Sequence, residues 1–127
     1  MHSLGRHALV DLYGCDPETL KDTAYIQKLL HDTAVELKCT IVEETFHTFS
    51  PWGVSGVIVI AESHLSIHTW PEYGYAALDL FTCSQTTELA RLAGLLEEGF
   101  GATEVEYREE ARGRLPLRVA PAVAGVA

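Results

Sequence analysis

A carboxylate, a hydroxyl and two imidazoles fall within seven residues, as Glu62, Ser63, His64 and His68, directly after the β-branched run Val57-Ile58-Val59-Ile60 and Ala61. An ordinary turn uses Gly, Asn, Asp or Pro, which supply a positive or preset φ. Glu-Ser-His supplies neither, so the interruption points to chemistry. His64 and His68 stand four apart and could share a metal ion. However, Leu65 occupies the place of the HExxH glutamate, and no third His or Cys sits at ligand spacing. No metal is expected, and His64 also fits a satisfied core or interface histidine. Ser63 could be a hydrolase nucleophile, but it lacks the G-x-S-x-G elbow and an obvious orienting Asp. Cys83 and His68 could form a thiol–imidazole pair, against the commoner fate of a free cysteine as a small buried hydrophobe. Spacing leaves these readings open.

The elements that must hold these residues follow from pattern. Ala8–Tyr13 reads as a strand ended by Gly14. Asp16-Pro17 reads as an N-cap and first helical residue, opening a helix to about Lys38 with apolar positions Leu20, Ala24, Leu30, Ala34 and Leu37. Strands follow at Thr40–Phe49, Val54–Ala61, Leu65–Trp70 and Tyr75–Cys83, then a helix over Gln85–Phe100 and a strand over Thr103–Arg108. The order β-α-β-β-β-β-α-β, with short links between strands, predicts an α+β two-layer sandwich. An antiparallel sheet carries two helices on one face. One domain covers residues 1–114, and residues 115–127 read as a flexible tail.

Strand parity sends Leu65 and Ile67 to one face and Ser66, His68 and Trp70 to the other. Likewise Ala76, Leu78 and Leu80 separate from Tyr75, Asp79, Phe81 and Cys83. His68 and Cys83 are therefore expected together on the face without helices. The strand Val54–Ile60 is apolar on both faces apart from Ser55, which calls for a second cover. A partner subunit is the simplest supplier, so a homodimer is expected.

Bulk properties exclude several classes. With 127 residues the chain makes one domain with a real core. A formal net charge of −9, with no dense basic run, argues against nucleic acid and anionic membranes as main partners. No apolar stretch reaches membrane-spanning length, and the opening MHSLGRHALV lacks the pattern of a signal peptide. Three widely spaced cysteines, Cys15, Cys39 and Cys83, suit reduced thiols in the cytoplasm.

The stretch GVSGVIVIAESHLSIHTWPEYGYAALDLFTC, residues 53–83, resembles the core signature of the short prokaryotic S-adenosylmethionine decarboxylases. SLGRHALVDLYGCD (3–16) and TFHTFSPWGVSG (45–56) are similar to that family too. Beyond Cys83 the chain reads SQTTELARLAG, where the family often has Gly-Asp and Pro-Trp-Lys elements. The resemblance implies a pyruvoyl cofactor made from Ser63. The Ser63 hydroxyl attacks the Glu62 carbonyl, β-elimination cuts the resulting ester, and hydrolysis leaves the pyruvoyl group and ammonia. The products are a chain of residues 1–62 and a chain of residues 63–127.

The resemblance further implies His68 as the base that removes the Ser63 α-proton, and Ser55 as a hydrogen-bonding helper of processing. It implies a Schiff base between the pyruvoyl carbonyl and the substrate amine, with Cys83 returning a proton. Phe49, Trp70, Glu72 and Leu65 are the implied substrate-binding residues, with Phe46 a weaker candidate. Aromatic faces suit adenine and a sulfonium, and Glu72 suits ribose hydroxyls. The product would supply aminopropyl groups for spermidine synthesis, from dimers with sites built by both subunits. Ornithine or arginine decarboxylation on the same scaffold is the near alternative, and a non-catalytic dimerising relative the distant one.

Overall fold

The structure is a computed structural model and describes residues 1–119 and 122. The expected tail therefore lies partly outside the described residues. Among the described residues, six strands form one antiparallel sheet: β1 (Ser3–Tyr13), β2 (Thr40–Thr48), β3 (Val54–Ala61), β4 (Ser63–Trp70), β5 (Tyr75–Thr82) and β6 (Glu104–Arg114), in the spatial order β2-β3-β4-β5-β1-β6. The helices α1 (Pro17–Lys21), α2 (Thr23–Glu36) and α3 (Ala90–Phe100) make the second layer.

The core lies between this layer and the sheet. Val10 and Leu12, Ile58, Leu65 and Ile67, and Leu80 from the strands are buried with Leu20, Ile26, Leu30, Leu92 and Leu96 from the helical side. Burial alternates along β4 and β5, as expected for a sheet with one covered face. Phe46 belongs to the covered side. Its ring fills the space where a Cβ on Gly56 would stand, and it packs against the core.

The first helical segment differs from the single helix expected to about Lys38. Asp16 accepts from the Glu18 N–H at 2.9 Å, and Asp22 accepts from the Tyr25 N–H at 3.1 Å. The second aspartate offers its own cap, so the helix restarts there. The last helix starts at Ala90 rather than Gln85, because Ser84 Oγ accepts from the amides of Thr86 and Thr87, each at 3.2 Å. Neither change disturbs β4, which carries Ser63 and His68, or β5, which ends at Thr82 rather than at the expected Cys83.

Candidate active site

Ser63 opens β4 directly after the chain leaves β3. Ile60 pairs with Ser63, so Ala61 and Glu62 alone make the link. Two-residue hairpin links usually rely on Gly or Asn to reach positive φ. Here the positive φ falls on Ser63 itself, at +138°, a region that L side chains rarely occupy. Strain of this kind costs about 1–3 kcal/mol and gathers at active sites. The neighbouring carbonyl is already engaged, since the Cys83 main-chain N–H donates to Glu62 O at 3.4 Å. Ser63, the Glu62 carbonyl and the exposed, free Cys83 thus lie at one end of the sheet.

His68 and Ser55 stand elsewhere. They face each other across β4 and β3, with Ser55 Oγ and His68 Nδ1 hydrogen-bonded at 2.9 Å. His68 follows Ser63 by five residues on one extended strand, a separation of roughly 17 Å. Parity expected His68 and Cys83 on the same face; His68 is exposed on β4, and Cys83 is exposed just past the end of β5. Within one chain, however, they do not meet, because His68 pairs with Ala77, near the opposite end of β5 from Cys83. The residues divide into a Ser63 half (Glu62, Ser63, Cys83) and a His68 half (Ser55, His68).

The aromatic candidates cluster with the second half. Trp70 ends β4, seven residues and roughly 23 Å from Ser63. Its ring lies 5.3 Å from Tyr75, which stacks on Tyr13 at 5.3 Å. With Tyr73 these rings line an open depression of about 370 Å³. Phe49 follows β2 at the same end, half exposed, with its ring 4.5 Å from His47. Glu72 is exposed in the short turn Pro71–Tyr73, which Gly74 closes at φ +61°. Leu65 is different: its side chain is fully buried under the helices. Only its main chain is available to a ligand.

Between the halves lies a network that sequence reading missed. Asp79 Oδ2 accepts from His7 Nε2 at 2.6 Å and from His64 Nε2 at 2.9 Å, while Ser66 Oγ donates to Oδ1. Burial pushes the Asp79 carboxyl upward, but the three donors outweigh it and hold it below the usual range. Arg112 Nη1 in turn donates to His7 Nδ1 at 3.0 Å. Parity had already put Ser66 and Asp79 on one face. Finding their contact needed the register, which pairs them directly and brings His7 opposite Phe81.

The helix-free face also exposes apolar surface. Val59 is 38% accessible, and Val57, Leu9 and Phe81 are half-buried. Near His68, an open depression of about 300 Å³ is lined by Thr45, His47, Ser55, Val57 and Ser66. Ligand sites usually enclose most of a ligand's surface, and an open half of this kind does not.

Comparison with known proteins bears on the family and the fold. The family model described as S-adenosylmethionine decarboxylase matches residues 6–113. A protein of Acidithiobacillus ferrooxidans named S-adenosylmethionine decarboxylase proenzyme is 47% identical over 122 residues, covering 96% of this chain and 92% of that one. A proenzyme of the same name from Thermotoga maritima is 49% identical over 114 residues, covering 90% and 88%. Among solved structures, the adenosylmethionine decarboxylase of Aquifex aeolicus matches with a TM-score of 0.83 at 30% identity. It covers 95% of this chain and all of that one.

Proposed function

The chain belongs to the S-adenosylmethionine decarboxylase family, and from that premise we propose that it cuts its own backbone at Glu62–Ser63 and then decarboxylates S-adenosylmethionine. The observation that carries the reading is the Cys83 N–H aimed at Glu62 O, beside a Ser63 held at φ +138°. Ser63 Oγ attacks the Glu62 carbonyl carbon, and the Cys83 amide stabilises the oxygen charge that develops there. A strain of about 1–3 kcal/mol is worth roughly five- to 150-fold in rate, so it assists the attack without driving it. The bond passes from amide to ester, and a base then removes the Ser63 α-proton so that Glu62 leaves as a carboxylate. His68 is that base, ordered by the hydrogen bond between its Nδ1 and Ser55 Oγ.

Residue 63 fits the pyruvoyl cofactor, since it carries a β-hydroxyl next to a polarised acyl bond. The pyruvoyl group supplies an electron sink for the pair left behind when carbon dioxide departs. Cys83 then delivers a proton to the substrate α-carbon. Phe49 and Trp70 offer faces to the adenine and sulfonium, and Glu72 accepts from the ribose hydroxyls. Leu65 contributes through its main chain.

We assign the complete site to two chains. The roughly 17 Å between Ser63 and His68 is too long for a proton transfer within one chain. A two-fold pairing of helix-free faces would set each Ser63 half against the partner's His68 half. The exposed Val59 and half-buried Val57 and Phe81 suit such a cover. The working form is then a homodimer of processed units, residues 1–62 and 63–127. No helix among the described residues is long and apolar enough to cross a membrane. A free Cys83 thiol suits a reducing cytoplasm. The product would be the aminopropyl donor for spermidine synthesis. Release of labelled carbon dioxide from S-adenosylmethionine, with none from ornithine or arginine, tests the substrate. Release from either amino acid alone would overturn it.

A further inference from the structure

Cutting the chain after Glu62 changes what holds residue 63. In the intact chain it pairs with Ile60 and Thr82 and is joined through Glu62 to β3. After the cut it is a strand terminus, and such ends fray unless tied down. A pyruvoyl end also has no main-chain N–H to donate to a neighbouring strand. The first residue that can still anchor the new chain is His64.

His64 is anchored with unusual care. Its backbone pairs with Phe81, while its Nε2 reaches diagonally across to Asp79 Oδ2 at 2.9 Å. Asp79 Oδ1 accepts from Ser66, the next residue of β4 on the same face. One carboxylate therefore grips two side chains near the start of β4. His7 fixes that carboxylate from β1 at 2.6 Å, and Arg112 fixes His7 from β6.

One ring nitrogen each of His7 and His64 and a carboxylate oxygen of Asp79 lie within 4.8 Å of one another, as a cation site would require. Proton direction argues against one. Arg112 has only protons to offer, so His7 Nδ1 accepts and the ring proton sits on Nε2, pointing at Asp79. A ligating histidine needs the reverse, with a lone pair on the inner nitrogen and its outer N–H given to an acceptor.

We propose that the Asp79 grip on His64 and Ser66 holds the new terminus of the 63–127 chain in register beside Cys83 once the backbone is cut. The inference rests on self-cleavage at Glu62–Ser63. His64 acts as a positioning residue, and its ties matter far more in the cut chain than in the intact one.

Hydrogen–deuterium exchange at the amides of residues 64–67 tests this without an activity assay. Wild type and His64→Ala are compared as cut proteins, then again with Ser63→Ala added so that neither is cut. Loss of one hydrogen bond should speed exchange about tenfold in the cut pair and less than about threefold in the uncut pair. His64→Gln, which keeps a donor near the lost Nε2, should restore protection. Ser66→Ala removes the second tie away from the cut and is scored in the same way. Equal acceleration in cut and uncut proteins, or none in the cut pair, overturns the proposal. A single uncut mass for wild type would instead overturn the cleavage reading beneath it.

Discussion

Ser55 Oγ holds His68 Nδ1 at 2.9 Å across β3 and β4, near the end of the sheet away from Ser63. The contact orders an imidazole suited to proton removal, yet its own chain's Ser63 is roughly 17 Å away along β4. A base that is ordered but distant makes sense if it serves another chain.

Mixed dimers follow from that separation. Ser63→Ala and His68→Ala should each remain uncut when expressed alone. Co-expressed, the His68→Ala chain keeps its serine and meets the intact His68 of its partner, so part of it should be cut. Mass spectra of tagged chains would show this. A site confined to one chain predicts no cutting in the mixture.

Cys83 carries two separable parts. Its main-chain N–H contacts Glu62 O, and its side chain is the proposed proton donor. Cys83→Ala keeps the amide and loses the thiol. Two fragment masses should therefore persist, while decarboxylation falls by about 10²–10⁴-fold, the usual weight of general acid catalysis. Complete loss of cutting in this variant would contradict the division.

Substrate contacts should separate from processing. Phe49→Ala and Glu72→Gln leave the Ser63 end untouched, so cutting should proceed. KM for S-adenosylmethionine should rise by about tenfold in each, equivalent to one lost stacking or hydrogen-bond contact. Leu65→Ala should behave differently. Its side chain is in the core, so the expected effect is a stability loss of about 2–5 kcal/mol in urea unfolding.

Asp79 predicts an acid-side dependence. Its folded pKa is depressed below 3.8 by donors from Ser66, His7 and His64, which outweigh its burial. A depressed carboxyl stabilises the fold above the unfolded pKa, and that contribution disappears as pH falls through the folded value. The stability gap between wild type and Asp79→Asn should stay level from about pH 7 to pH 5 and shrink below about pH 4. Urea midpoints across that range check it. A gap that widened toward acid would contradict the assignment.

Much of the fold was legible in the sequence because alternation and turn residues mark strands well. β4 and β5 carry their aliphatic residues to the core in the parity expected of them. The caps at Asp22 and Ser84 were harder to see, since local side-chain bonds there compete with helical continuation. For the site, parity named a face but carried no distance along it. His68 and Cys83 stand toward opposite ends of β5, and the His7–Asp79–His64 network appears only when registers between three strands are known. The chemistry of Glu62–Ser63 came from family resemblance, and the geometry around that bond supports it.

The most direct measurement is the intact mass of purified wild-type protein beside Ser63→Ala. Wild type should give two chains, residues 1–62 and a 63–127 chain whose first residue has lost its amino nitrogen as ammonia. Ser63→Ala should give one full-length chain. A single unmodified 127-residue mass for wild type, in preparations that release carbon dioxide from S-adenosylmethionine, would contradict the account.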